Sequence, residues 1–209
     1  MHLSGRNAMI DTVIFDIGNV LIPWEPKWLF RQYLASDDEI DRFLAEVDFH
    51  AWNAEQDAGR PFREAVATHG ARFPHYRHLL EAYAQRWEET LGPPIAGSVA
   101  LIQHCKSQGY RVLALTNWSH ETFPRACEMY PFLGEFEGIV VSGRERVIKP
   151  QREIYAVLCQ RYGVVPSKAI FIDDSLKNVE AARAFGMSAV LFTEASNTRA
   201  ELQRLGLAL

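Results

Sequence analysis

With 209 residues, 48% of them hydrophobic and 23% charged, the chain can bury one substantial core, or one core with a smaller appended unit. A net charge of −4 spread along the sequence offers no footprint for nucleic acid, and no stretch reaches the ~20 apolar residues of a membrane span or forms a signal-peptide core. Cys105, Cys127 and Cys159 lie far apart without metal-ligand spacing, which predicts buried thiols in a reducing cytoplasm.

Residues 1–8 read as a frayed tail, with Met9 as an alternative start. From Thr12 to Leu21 an apolar run is broken by one carboxylate, Asp16, and a Gly18-Asn19 turn. Pro23 and Pro26 stop any strand. Residues 27–91 carry only helical periodicity: Leu29, Tyr33 and Leu34, then Ile40, Phe43, Leu44 and Val47 behind a Ser36-to-Glu39 capping box. Pro61 opens a further helix with Gly70 as its stop, and Leu79, Leu80, Tyr83 and Trp87 stripe another. Beyond Ile95, helices alternate with strands predicted at 111–116, 138–142, 168–173 and 188–193, with Gly163 and Gly186 as helix stops. A last helix is predicted near 198–205. The expected fold is α/β, a Rossmann-like doubly wound parallel sheet covered on both faces, with an inserted helical unit. The expected boundaries are 9–21 and 96–209 for the α/β core and 22–95 for the insert.

Four of these strands end in polar groups: Asp16, Thr116-Asn117, Ser142 with Lys149 a loop later, and Asp173-Asp174. A parallel sheet brings all such ends to one edge. Three carboxylates that close together need a neutralising charge, and few carboxylates with waters and a substrate phosphate is the habit of magnesium. Lys149 adds a second positive charge, and Thr116 and Asn117 add neutral donors for phosphoryl oxygens. These are the parts of phosphoryl transfer.

In the same order, Phe15-Asp16-Ile17-Gly18-Asn19-Val20, Leu115-Thr116-Asn117, Ile148-Lys149-Pro150 and Phe171-Ile172-Asp173-Asp174 with Asn178 resemble the four motifs of the haloacid dehalogenase superfamily, in its phosphatase branch. The resemblance covers the chain from Asp11 onward and makes the insert a helical cap. It implies that Asp16 attacks phosphorus and carries an aspartyl-phosphate. Thr116, Asn117, Lys149 and Gly18 would face the substrate phosphate, with Asp16, Asp174, the Gly18 carbonyl and, in the outer shell, Asp173 holding Mg2+. The expected partner is a small phosphorylated metabolite, with a sugar phosphate as one candidate, and the protein a monomer or homodimer.

One position departs from the family pattern. A second Asp, the general acid and base, normally stands two residues after the nucleophile; here that residue is Gly18. General acid–base catalysis contributes ~10²–10⁴-fold, so its absence narrows the leaving group rather than abolishing activity. The superfamily's 2-haloacid dehalogenases lack the same Asp, and a catalytically weak phosphate- or partner-binding domain is a third reading. Against the dehalogenase, an uncompensated Asp173-Asp174 pair repels an anionic carboxylate.

Several further residues carry two readings. Asn178 supports the metal or is solvated; Trp118 walls the pocket or covers the sheet edge; Trp24 and Glu25 line the entrance or stiffen the hinge. In the stretch from His50 to Arg60, His50, Trp52, Asn53 and Arg60 read substrate or line a solvated helix face. His69, His75, His78 and His104 lack partners at ligand spacing and are expected on the surface or in the core. Tyr83 to Trp87 is expected to be packing.

Overall fold

The computed structural model describes residues 9–209, so the expected tail at 1–8 lies outside the described residues. Strand β1 (Thr12–Phe15) is fully buried and ends at Asp16. The apolar run does not continue as strand to Leu21, because the amides of Leu21 and Ile22 both turn back to the Ile17 carbonyl at 2.9 and 3.0 Å. Asn19 completes this turn at φ 54°, a left-handed conformation that asparagine tolerates better than most residues.

Five helices follow: α1 (Lys27–Phe30), α2 (Asp37–Glu46), α3 (Phe49–Asp57), α4 (Phe62–Arg72) and α5 (Arg77–Arg86), then a 3-10 turn at Trp87–Thr90. At α2 the forward half of the predicted capping box forms, Ser36 Oγ accepting from the Glu39 amide at 3.3 Å, while Glu39 Oε2 accepts from the Ala35 amide at 2.9 Å, one residue before the cap. Gly70 does not stop α4. The helix runs through it to Arg72, and a Cβ there would lie 2.9 Å from the Arg77 side chain, so the glycine admits α5 instead. Phe30 packs edge-on against Phe43, and Phe49 edge-on against Tyr83, with ring centroids 4.9 Å apart in each pair.

The remaining elements alternate: α6 (Ala96–Ser107), β2 (Arg111–Thr116), α7 (Phe123–Met129), β3 (Gly138–Val141), α8 (Ser142–Glu145), α9 (Arg152–Tyr162), β4 (Ala169–Asp173), α10 (Leu176–Phe185), β5 (Ser188–Leu191) and α11 (Ala195–Arg204). Ser142 therefore opens one helical turn rather than ending β3, in a stretch expected to be loop. Gly163 and Gly186 close α9 and α10 at φ 63° and 109°, conformations open to glycine.

The five strands form one parallel sheet in the order β3-β2-β1-β4-β5. Its two faces feed separate cores, as period-two alternation requires. Val13 and Phe15 join a cluster shared with the helices between β1 and α6, while Ile14 packs with residues of α9 and α10. The chain builds outward from β1 to β2 and β3, then restarts at β4, so a crevice opens between β1 and β4 at their carboxyl ends. Of the cysteines only Cys105 is buried; Cys127 is exposed, contrary to expectation, because it sits on the outer face of the short α7. No helix among the described residues is long and apolar enough to cross a membrane.

Candidate active site

Register decides which strand ends meet. Phe15 pairs with Ile172, and the Asp16 amide donates to the Ile172 carbonyl at 2.8 Å, which sets Asp16 level with Asp173 across the crevice. Lys149 reaches between them, its Nζ 2.8 Å from Asp16 Oδ1 and 2.7 Å from Asp173 Oδ2. The Ile17 amide also donates to Asp16 Oδ1, at 2.7 Å. All three side chains are buried, and the ammonium lies 5.4 Å from the Phe171 ring centroid. Burial works against the Lys149 charge, but Asp16 and Asp173 outweigh it and hold the ammonium above its usual range. Burial raises the Asp16 carboxyl, with Lys149 opposing and Asp173 and Asp174 adding to the rise.

Asp174 stands beside this pair at the cavity, its carboxyl raised by desolvation and then by Asp173. One oxygen from each of Asp16, Asp173 and Asp174 lies within 4.8 Å of the others. Three carboxylates around one ammonium leave net negative charge in a partly dry site, and oxygen donors of that kind fit a hard divalent cation. Asp173 is the least available of the three. Its Oδ1 accepts from the Ser175 amide at 2.8 Å and from Asn178 Nδ2 at 3.0 Å, so it orients Lys149 and Asn178. Asn178 is buried on the first turn of α10, and its Oδ1 has no partner.

At the end of β2, the Thr116 hydroxyl is buried without a hydrogen-bond partner, although Thr116 does not line the cavity. Asn117, whose backbone the resemblance places near a phosphoryl oxygen, uses its side chain on the Lys149 loop. Its amide donates to the Lys149 carbonyl at 3.0 Å and its Oδ1 accepts from the Lys149 amide at 2.8 Å. It clamps the loop that carries the cation, and it also lines the cavity, where its second amide N–H is not engaged by Lys149. Gly18 lines the cavity, and a Cβ there would meet nothing within 4 Å.

The cavity over these residues measures about 220 Å³. Its inner end is polar, with Asp16, Gly18, Asp174 and Lys149; its outer walls are Trp24, Phe62, Tyr83, Trp87, Leu91 and Trp118. Asn19, Ile22, Asn53, Asp57, Asn117, Ser119, Thr122 and Asn178 complete the lining. The helical insert is tied to the core directly above the strand ends. Ser142 Oγ donates to the Asp57 carbonyl at 2.6 Å and accepts from the Trp118 amide at 2.9 Å, while the Glu121 carboxylate accepts from the Phe62 amide at the start of α4. Gly59, at φ 98°, lets this corner approach α8: a Cβ would stand 2.9 Å from the Gly143 carbonyl oxygen.

Of the residues singled out in the insert, Asn53 reaches the cavity and His50, Trp52 and Arg60 do not. Trp52 is 2% exposed and gives its indole N–H to the Ala65 carbonyl at 3.3 Å. Arg60 turns back to Gln56 and pairs with Glu55. Trp24 lines the cavity, whereas Glu25 accepts from the Lys27 amide at 3.0 Å to start α1. Trp118 lines the cavity while packing edge-on against Trp87 and Phe123. Tyr83 and Trp87, expected only to pack, pack and also face the cavity. His69 holds the Val47 carbonyl and His75 meets Glu46 at the surface, as expected of histidines without ligand partners. Asp57 also reaches the cavity, although its sequence context did not single it out. The available signal was its spacing of four from Asn53, which puts both on one helix face just before the Gly59 turn.

Comparison with known proteins gives this geometry a family. A sesquiterpene phosphatase of Aspergillus oryzae is 28% identical over 204 residues, covering 92% of this chain and 94% of that protein. The chain spans only 20% of the length of another relative, acyl-CoA dehydrogenase family member 10 of Mus musculus, at 24% identity over 98% of this chain. Two solved structures share the fold. A HAD family enzyme of Bacteroides thetaiotaomicron, in complex with magnesium and inorganic phosphate, superposes with TM-score 0.66 at 20% identity, covering 88% of this chain and 95% of that one. L-2-haloacid dehalogenase of Xanthobacter autotrophicus, with chloropropionic acid covalently bound, superposes with TM-score 0.63 at 15% identity, covering 93% and 83%. The family profile of haloacid dehalogenase-like hydrolases matches residues 10–186, and with the crevice between β1 and β4 carrying Asp16, Lys149 and Asp174, the chain belongs to that family.

Proposed function

We propose that this hydrolase is a magnesium-dependent phosphatase that cleaves a phosphate monoester through an aspartyl-phosphate on Asp16. The observation that carries the reading is Lys149 bridging Asp16 and Asp173 at 2.8 and 2.7 Å with Asp174 alongside. One ammonium cannot neutralise three carboxylates. A site of that charge calls for a divalent cation and repels the carboxylate of a haloacid.

The roles follow from position. Both polar contacts of Asp16 fall on Oδ1, leaving Oδ2 for in-line attack on phosphorus. Lys149 offsets charge on the nucleophile and on the phosphoryl group as they meet. The Thr116 hydroxyl, buried at the end of β2 just behind the cavity lining, would donate to a phosphoryl oxygen. Asp16, Asp174 and the Gly18 carbonyl would hold Mg2+, with Asp173 acting through Lys149 and the outer sphere. When bound, the cation would neutralise the carboxylates and polarise the phosphoryl oxygens. Residues 22–95 act as a cap that keeps water out during attack.

The walls point to the alcohol. Trp24, Phe62, Tyr83, Trp87, Leu91 and Trp118 suit an apolar leaving group better than a hydroxyl-rich sugar, and the sesquiterpene phosphatase relative supports that reading. Phosphate and halide release should be measured on a panel of isoprenoid, simple alkyl and sugar phosphates and 2-chloropropionate, with magnesium and with chelator, beside Asp16→Asn. Metal-dependent phosphate release favouring apolar alcohols, lost in Asp16→Asn, is expected. Activity that survives chelation or Asp16→Asn defeats the mechanism; preference for sugar phosphates defeats the apolar reading; halide release establishes the dehalogenase.

A further inference from the structure

Gly18 removes the acid that would protonate the departing alcohol, so the site needs a proton from elsewhere. Five cavity-lining side chains titrate: Asp16, Asp57, Tyr83, Lys149 and Asp174. Asp16 is the nucleophile and Asp174 a cation ligand in the proposed reading. Lys149 is held between two carboxylates. The Tyr83 hydroxyl is committed to Asn53 Oδ1 at 3.0 Å, and burial raises its pKa further from use. Asp57 remains.

Asp57 is held in place from several sides. Its main-chain oxygen is fixed to the core by Ser142 at 2.6 Å, Asn53 Nδ2 donates to its Oδ2 at 3.2 Å, and the Ser119 main-chain N–H faces its carboxylate. We propose that Asp57, delivered by the insert, is the general acid and base that replaces the missing acid at position 18; this rests on the phosphatase reading. Asp57 has the protonation behaviour the role needs. Burial pushes its carboxyl up to about 7, with Lys149 and the Ser119 amide opposing, so both forms are populated near neutrality.

The proton balance closes over two steps. Asp16 Oδ2 bonds to phosphorus as the ester P–O bond breaks, and the departing alkoxide takes the Asp57 proton, leaving Asp57 as carboxylate. A water then attacks the aspartyl-phosphate, Asp57 accepts its proton, the P–Oδ2 bond breaks, and inorganic phosphate leaves with Asp16 and Asp57 restored. One water is consumed, and one alcohol and one phosphate are released.

The test compares leaving groups, because a donor matters most where the alkoxide is a poor one. In Asp57→Asn, kcat/KM for an alkyl phosphate such as hexyl phosphate should fall ~10²-fold or more, while 4-nitrophenyl phosphate should lose less than ~5-fold. Equal losses on both esters, or none on the alkyl ester, overturn the proposal. Gly18→Asp supplies a second arm that leaves Asp57 untouched, since the new side chain would enter open space. In the Asp57→Asn background it should restore the ratio of alkyl over nitrophenyl kcat/KM that Asp57→Asn lowers. A large alkyl-specific gain from Gly18→Asp alone would show that no donor is present and overturn the assignment. Wild-type protein that releases phosphate from neither ester overturns the phosphatase reading and this one together; release without the leaving-group split overturns this one only.

Discussion

The Ser142 hydroxyl donates to the Asp57 carbonyl oxygen at 2.6 Å, joining the residue just beyond β3 to the last residue of α3, 85 positions away in sequence. Ser142 Oγ in turn accepts from the Trp118 amide, so one buried hydroxyl holds the insert, the end of β3 and the loop after β2 together.

Ser142→Ala should therefore loosen the insert. It leaves a buried amide and a buried carbonyl short of a partner, at a cost of about 1–3 kcal/mol each where water cannot enter. A urea midpoint lowered by that order is expected, with turnover of alkyl phosphates reduced more than that of nitrophenyl phosphates because Asp57 is no longer held. A midpoint unchanged from wild type would mean that the bond contributes nothing net.

Lys149→Met should be more damaging. The side chain is 2% exposed and neutralises Asp16 and Asp173 directly, and removing one partner of a buried ion pair costs about 3–5 kcal/mol. Thermal melts at neutral pH without added metal should show the loss, and magnesium should recover part of it by supplying the missing charge. Equal melting of variant and wild type in chelator would contradict the role given to Lys149.

Asp174→Asn separates cation binding from folding. Asp174 is exposed and makes no ion pair among those of the described residues, so the fold should survive. The magnesium concentration giving half-maximal phosphate release should rise at least ~10-fold, because a hard cation loses one charged ligand. Wild-type magnesium dependence would remove Asp174 from the cation site.

The Asp57 carboxyl also predicts how stability varies with pH. Its folded pKa, about 7, lies above the ordinary carboxylate value, so the folded state holds more protons between those limits. The stability Asp57 contributes is full below its unfolded pKa and is lost as pH rises through about 7. Asp57→Asn cannot ionise, so its urea midpoint should gain on wild type as pH rises from about 4 to about 7 and then level off. A constant difference across that range would show that Asp57 does not titrate as described.

The same group sets the expected pH dependence of turnover. Lys149 faces Asp57 from the loop after α8, Tyr83 from α5 and the Ser119 amide from the loop after β2. Asp16 and Asp174 also titrate at the cavity, but they act on every ester alike, so the ratio of kcat/KM for alkyl over nitrophenyl phosphate isolates Asp57. That ratio should fall as pH rises above about 7 and become flat in Asp57→Asn. A flat ratio in the wild type would contradict the assignment.

Much of the site was legible in the sequence because the chemistry follows from sheet topology. Asp16, Thr116, Lys149 and Asp173-Asp174 each end or follow an apolar run, and a parallel sheet with right-handed crossovers delivers such ends to one edge. Local patterns also located most helix stops, but not the passage of α4 through Gly70, where close packing against Arg77 decided the matter. The role of Asn117 was hidden for the same reason: its side chain bonds the Lys149 backbone, 32 residues away.

What the sequence by itself determined, then, is the carboxylate-and-lysine edge and the gap at Gly18. What only the tertiary structure decided is how that gap is faced. Helical periodicity says which side of α3 carries Asn53 and Asp57, but not where α3 lies over the sheet. Its position comes from contacts between residues far apart in the chain: the Ser142 bond, the approach of Gly59 to Gly143, and the Phe62 amide on Glu121. Those contacts set Asp57 and a wall of tryptophans on the cavity that Asp16 also lines, because close packing and buried hydrogen bonds specify positions that local propensity leaves open.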